Sequence, residues 1–134
     1  MNILVSGAQG LIGFDLINIL AKQNHKVFAI YRFKNKKKNI NIKNLIWKKI
    51  NLTKPIDIKN KIDVIIHCAV IHEFSKNKKI QDYIDTNILS LTNLVEYAKK
   101  SETKLIINFS TIAAFGEIRV KKLNEDYIST SQNM

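Results

Sequence analysis

Proline, cysteine and arginine are almost missing from these 134 residues: Pro55 and Cys68 stand alone, and Arg32 and Arg119 are the two arginines. A single cysteine excludes an internal disulfide and fits a reducing compartment. Acidic residues are scarce too, 11 against 22 Lys+Arg, which leaves a formal net charge of +11 and a pI near 9.8. That balance raises the question of polyanionic partners. The cations, however, are mostly lysines scattered among Asn and Ile, whereas bidentate phosphate clamps are built from arginine forks. Solvated lysine faces are therefore preferred over a nucleic-acid groove. No apolar run is long enough to span a bilayer, and no basic-then-apolar leader ends in a cleavage site, so a soluble, cytoplasmic protein with no membrane partner is expected. Hydrophobic residues at 46% exclude a disordered chain and supply the core of one domain, not two.

Glycine is also sparse, four in all, yet three of them fall in the stretch Gly7-Ala8-Gln9-Gly10-Leu11-Ile12-Gly13. This stretch follows the apolar run Asn2-Ile3-Leu4-Val5-Ser6 and precedes Leu11, Leu16, Ile19 and Leu20 at helical spacing, so the glycines sit where a strand turns into a helix. A dinucleotide pyrophosphate binds at such a junction. The first glycine permits the tight turn, the second lets backbone approach the phosphates, and the third lets the helix pack closely; the helix N-terminus adds free N–H groups and a positive dipole.

Further along, strands are predicted over Asn2–Ser6, Lys26–Tyr31, Leu45–Lys49, Asp63–Cys68 and Lys104–Ser110, with helices over Leu11–Asn24 and Gln81–Lys100. Strand–helix alternation with continuous apolar strands implies an α/β, Rossmann-like, doubly wound parallel sheet covered on both faces. In the second helix, Ile84, Ile88, Leu91, Val95 and Ala98 are expected to form one buried stripe. Asn35 to Lys43 reads as a polar loop, and Pro55 punctuates the connection after the third strand. Where such a fold reads the adenosine ribose, after the second strand, an acidic residue marks a free 2′-hydroxyl and an Arg a 2′-phosphate. Here Tyr31-Arg32 stand with no carboxylate, so Arg32 is the expected clamp and NADP is favoured over NAD. Lys36, Lys37 and Lys38 read as a solvated basic loop.

The spacing Gly-x-x-Gly-x-x-Gly resembles that of the extended and atypical short-chain dehydrogenase/reductases, notably the NAD-dependent epimerase/dehydratase family that acts on nucleotide sugars. Four further segments are similar to that family in the same order. Asn51-Leu52 stands where Asp-Leu lies near the adenine, with an amide in place of the carboxylate. Asp63-Val64-Ile65-Ile66-His67-Cys68-Ala69-Val70 resembles the fourth strand, whose small residues let Cys68, Ala69 and Val70 lie against the cofactor. Asn87-Ile88-Leu89-Ser90-Leu91-Thr92-Asn93-Leu94 keeps both asparagines of the Asn-x-x-Gly-Thr-x-Asn helix, placing Asn87 below the active site, but has Ser90 and Leu91 where Gly-Thr is usual. Phe109-Ser110-Thr111-Ile112-Ala113-Ala114-Phe115-Gly116 resembles the Ser-Ser-x-x-x-Tyr-Gly segment, with Phe115 replacing the tyrosine. This likeness implies Thr111 as the catalytic Ser/Thr, and a cofactor site made of Gly7, Gly10, Leu11, Ile12, Gly13, Tyr31, Arg32, Asn51, Leu52, Cys68, Ala69, Val70 and Asn87.

The family's chemistry implies a Tyr-x-x-x-Lys pair, in which a tyrosinate takes a hydroxyl proton while hydride passes to the nicotinamide. Tyr31, Tyr83, Tyr97 and Tyr127 are followed four positions on by Asn35, Asn87, Ser101 and Ser131, so none forms the pair. The segment Leu123-Asn124-Glu125-Asp126-Tyr127-Ile128 resembles the acidic stretch just upstream of it. The expectation is an NAD(P)-binding domain over residues 1–134, truncated after the fifth strand, lacking the substrate-binding region and inactive alone, with a nucleotide sugar as ligand once a second polypeptide completes it. The alternative is a non-catalytic dinucleotide-binding module or NADP sensor. An uncovered sheet edge would favour self-association.

Other residues carry weaker readings. His67, Cys68, His72 and Glu73 could suggest a metal, but adjacent strand residues face opposite ways, and packing with cofactor contact is preferred. Trp47 reads as a packed strand aromatic. Asp15 lies early in the first helix, where the helix dipole accounts for it.

Overall fold

The computed structural model describes residues 1–33, 42–72, 75–76, 78–111 and 122–124. Expectations that fall on Lys34, Lys36 to Lys38, Glu73, Phe115, Arg119 and the stretch from Glu125 onward lie outside the described residues. Five parallel strands form one sheet: β1 (Asn2–Ser6), β2 (Lys26–Tyr31), β3 (Leu45–Lys49), β4 (Val64–His67) and β5 (Leu105–Asn108), in the spatial order β3-β2-β1-β4-β5. Helix α1 (Leu11–Lys22) joins β1 to β2. Between β4 and β5 run α2 (Ile80–Tyr83), a π-helical turn (Ile84–Leu89) and α3 (Ser90–Lys100).

Strand pleating sorts the apolar residues into two cores. In register, Leu4 lies opposite Phe28 and Ile65, while Val5 lies opposite Ala29 and Ile66. Because side chains alternate faces along a strand, Leu4, Phe28, Ile30 and Ile65 join Leu94, Tyr97 and Ala98 of α3 in one cluster. Ile3, Val5, Val27, Ala29 and Ile66 join Ile17 and Ala21 of α1 in the other. Central strands that are apolar on both faces thus become the middle layer of a doubly wound sheet. Each large side chain fully buried here contributes roughly 1.5–3 kcal/mol relative to exposure. No helix among the described residues is long and apolar enough to cross a membrane.

Three expectations shift. Strands β4 and β5 are shorter than their apolar runs, and α1 stops at Lys22 because Asn24 turns left-handed (φ 61°). The Asn24 N–H then donates to the Ala21 carbonyl and the His25 N–H to that of Leu20, a Schellman closure. Along α1, Ile17 is buried and Ile19 is exposed. The larger correction concerns the second helix. Ile84 and Ile88 are 41% and 61% exposed, and the buried residues are Ser90, Leu94, Tyr97 and Ala98. The π turn holds an extra residue, so everything before it is rotated relative to the periodicity that continues after it.

The connection between β3 and β4, residues 50–63, crosses the sheet end without a helix. Its backbone groups are met by α3: the Asn93 amide donates to the Leu52 carbonyl (2.8 Å), and the Tyr97 hydroxyl reaches the Ile58 and Asn60 carbonyls (3.4 Å each). At the far end of α3, Glu102 adopts φ 54° and the Thr103 N–H donates to the Ala98 carbonyl. A left-handed non-glycine residue is strained by roughly 1–2 kcal/mol, partly offset by the greater unfolded-state freedom of glycine. Glu102→Gly is therefore expected to stabilise the fold by roughly 0.5–1 kcal/mol in urea unfolding; an unchanged or lowered midpoint would contradict this account of the helix end.

Candidate functional site

The chain leaves β1 toward β2 on one side and returns through β4 on the other, so the two loops diverge at the C-terminal ends of neighbouring strands. Such a switch point is where doubly wound sheets open a crevice. Here the crevice has two connected parts. The first, about 300 Å³, is lined by Gly7 and Gly10 after β1, Tyr31 and Arg32 after β2, Asn51 and Leu52 after β3, and Cys68, Ala69 and Val70 after β4. The second, about 550 Å³, shares Cys68, Ala69 and Val70 and adds Ile12, Asn87 and Thr111. Residues far apart in sequence are thereby brought to one place. Leu11 (80% exposed) and Gly13 (buried) flank these walls rather than form them.

Each glycine of the turn has its own steric reason. Gly7 is left-handed (φ 64°), and a Cβ there would lie 2.7 Å from Ala69 N and Cys68 C. A Cβ on Gly13 would overlap the Gly7 carbonyl, so the third glycine packs the helix against the turn itself. Gly10 is less constrained, its Cβ meeting only the Gly7 oxygen at 3.1 Å. Gly10 caps α1 without a side-chain hydrogen bond, and no acidic residue occupies the first turn. Among the described residues the helix N-terminus thus has no side-chain cap and no first-turn carboxylate to offset its dipole at the crevice. Asp15 stands beyond that first turn, where the dipole has largely fallen off. Gly7→Ala and Gly13→Ala are expected to lower stability by about 2–4 kcal/mol through overlap with backbone, and Gly10→Ala by under about 1 kcal/mol. Equal losses in denaturant unfolding would undo this ranking.

Beneath the crevice lies a polar chain that the sequence reading did not assemble. The Ser6 hydroxyl is 2.6 Å from His67 Nδ1 and accepts the Cys68 and Ala69 N–H groups at 3.2 and 3.3 Å. His67 Nε2 lies 3.5 Å from the Ser90 hydroxyl, which donates to the Thr86 carbonyl across the π turn. Ser6, His67 and Ser90 are all buried. The one visible signal was Ser90, a polar residue where a glycine is usual. Thr86 Oγ1, on the crevice wall, is buried without a hydrogen-bond partner among the described residues. Burial pushes the Cys68 thiol up to about 11, so it stays protonated and is no nucleophile.

Burial also lowers the His67 pKa below the ordinary 6.5. The unfolded chain then takes up a proton at His67 at a higher pH than the folded one does. The resulting stability is complete above about 6.5 and drains away as pH falls toward the lower folded value. Between pH 7.5 and 5.5 the wild type should lose more unfolding free energy than His67→Asn, which cannot titrate; parallel losses would mean that His67 is not held neutral.

The remaining candidates have mixed roles. Arg32 is exposed, its guanidinium 4.6 Å from the Phe33 ring centroid. Tyr31 meets Trp47 edge-on at 6.0 Å, and Trp47 packs against the α1-side core. The Asn51 side-chain oxygen, Oδ1, accepts the Thr53 N–H and hydroxyl. The Asn87 amide is engaged with the backbone of Ile71, accepting its N–H at 2.8 Å and donating to its carbonyl at 3.0 Å. Asn87 thus holds the wall of the second hollow. Thr111 sits on that hollow's rim beside Asn108 and Phe109.

Sheet order, two-sided cover and a glycine turn at the switch point define a Rossmann-like α/β fold. The sequence pattern of the NAD dependent epimerase/dehydratase family matches residues 3–132, and the chain belongs to that family. Among solved structures it is similar to WbmH of Bordetella bronchiseptica, determined in complex with NAD+ (18% identity, TM-score 0.79, 98% of this chain and 46% of that one). It is also similar to a UDP-galactose 4-epimerase (20%, 0.76, 90% and 41%) and to MoeE5 in complex with UDP-glucose and NAD (19%, 0.78, 96% and 42%). At these identities the likeness is one of fold, and the chain spans less than half the length of each. No curated protein sequence matches it.

Proposed function

We propose that residues 1–134 form the NAD(P)-binding part of a nucleotide-sugar epimerase/dehydratase-like oxidoreductase. The observation that carries this reading is the glycine turn at the switch point, where the lack of a Cβ at Gly7 and Gly13 and the uncapped α1 N-terminus make a cradle of the right chemistry for a pyrophosphate. The N–H groups of Leu11, Ile12 and Gly13 would receive the phosphates. The adenosine half would occupy the first hollow, between Tyr31, Arg32, Asn51 and Leu52. With its oxygen held by Thr53, Asn51 offers its Nδ2 hydrogens to the base edge. The nicotinamide half would lie over Cys68, Ala69 and Val70, with Asn87 behind them and the Thr111 hydroxyl placed to hold the reacting oxygen of a sugar. When bound, the cofactor would supply hydride transfer. The neighbour determined with UDP-glucose and NAD supports the substrate class.

Arg32 follows β2 and points the cofactor reading toward NADP, because a charge-assisted contact to a 2′-phosphate contributes roughly 1.5–3 kcal/mol. Titration calorimetry with NADP and NAD is expected to show the phosphorylated cofactor bound more tightly by about ten- to a hundredfold, with the preference gone in Arg32→Ala. Equal affinities in the wild type would overturn the NADP assignment; no binding of either would overturn the function.

A further inference from the structure

We propose that His67 is a positioning residue for the crevice, held as the neutral Nε2–H tautomer, and that through it Ser6 at the end of β1 is linked to Ser90 at the end of the π turn. The proposal deepens the dinucleotide reading and rests on it for its binding test alone. The Ser6 oxygen has two lone pairs and one proton. Two N–H groups are directed at those lone pairs, that of Ala69 at 3.3 Å and that of Cys68 at 3.2 Å, the latter shared with the Ser6 backbone carbonyl at 3.3 Å. The proton is what remains, and among the described residues the group at hydrogen-bond distance to receive it is His67 Nδ1, 2.6 Å away. Nδ1 is therefore the acceptor, and the neutral ring carries its proton on Nε2. That nitrogen faces the Ser90 oxygen at 3.5 Å, and Ser90 passes its own proton to the Thr86 carbonyl.

The bonds then run in one direction, Ser6 to His67 to Ser90 to Thr86. At one end the chain holds Cys68 and Ala69, whose backbone lies against Gly7 closely enough to forbid a Cβ there. At the other it holds the π turn, whose Thr86 and Ser90 line the same hollow. The floor and one wall of the crevice are thus fixed to one imidazole. Reversing the tautomer would leave the Ser6 proton without an acceptor among the described residues, and would leave Nε2 dependent on the Ser90 proton that serves Thr86. A hydrophobic residue of similar size would fill the space, but it would transmit nothing between the two serines.

Two measurements test this. In the ¹⁵N imidazole spectrum of the wild-type chain without ligand, His67 should show a protonated Nε2 and a bare Nδ1. The reverse pattern overturns the proposal and needs neither a variant nor a dinucleotide. The second measurement compares Ser90→Ala in two backgrounds, with NADP as the probe. In the wild type it should weaken binding about three- to tenfold, whereas in His67→Asn, which keeps an acceptor toward Ser6 but has nothing to reach Ser90, it should change affinity less than about twofold. Equal weakening in both backgrounds would show that Ser90 acts without His67. If wild-type protein binds no dinucleotide, the function proposed above fails, and the same pair of comparisons read in urea unfolding still decides the linkage. Should His67→Asn not fold, the tautomer decides alone.

Discussion

The close approach of the Gly7 turn to the Cys68–Ala69 backbone is the constraint from which the rest of the site follows. Two strands that exit the sheet side by side must send their chains in opposite directions, and the gap between those exits becomes a crevice only if the loops first meet at its floor. With no Cβ at Gly7, backbone meets backbone. The Ser6 hydroxyl then satisfies the Ala69 N–H, which the end of the ladder would otherwise leave unpaired, and shares the Cys68 N–H with the Ser6 backbone carbonyl. An alanine at position 6 would leave the Ala69 donor without that partner, so the serine serves the backbone before it serves anything else.

The walls of the crevice depend on parts of the chain that never touch a ligand. The segment following β3 carries Asn51 and Leu52 to the first hollow, and it has no regular structure of its own to hold it there. Asn93 and Tyr97 of α3 accept that task by bonding its carbonyls, while Leu94 and Ala98 on the same face bury the α3-side core. Helix position and wall position are consequently one variable. The π turn immediately before α3 sets which residues the helix presents, and it brings Thr86, Asn87 and Ser90 to the crevice together.

Charge plays a broader, less local part. With a formal net charge of +11, the surface potential favours approach of any anionic ligand, an effect that salt weakens. The Lys99–Glu96 pair at 3.4 Å is exposed, and pairs of that kind add little to stability. Stability instead comes from the two apolar layers and from the satisfied backbone at the strand and helix ends.

Local physics determined a good deal. The strands Asn2–Ser6, Lys26–Tyr31 and Leu45–Lys49 were legible because short runs centred on apolar, β-branched or aromatic residues have few other places to go, and the glycine turn was legible because only a missing Cβ suits that junction. Trp47 as a packed strand aromatic followed from the same reasoning. Tertiary structure decided what periodicity could not. Ile84 and Ile88 lie on the regular helical stripe, yet the π turn rotates them outward, since one added residue costs little locally and is selected by how Thr86, Asn87 and Ser90 fit against β4. Ser6 and His67 look ordinary in sequence, and only Ser90 stands out, by taking the place of a glycine; the three are separated by 61 and 23 positions. They become one hydrogen-bonded chain only when a parallel pairing sets Ser6 beside His67 and the following helix closes over both. Hydrogen-bond direction, unlike hydrophobic periodicity, is a property of three-dimensional neighbours and leaves no trace in the order of residues.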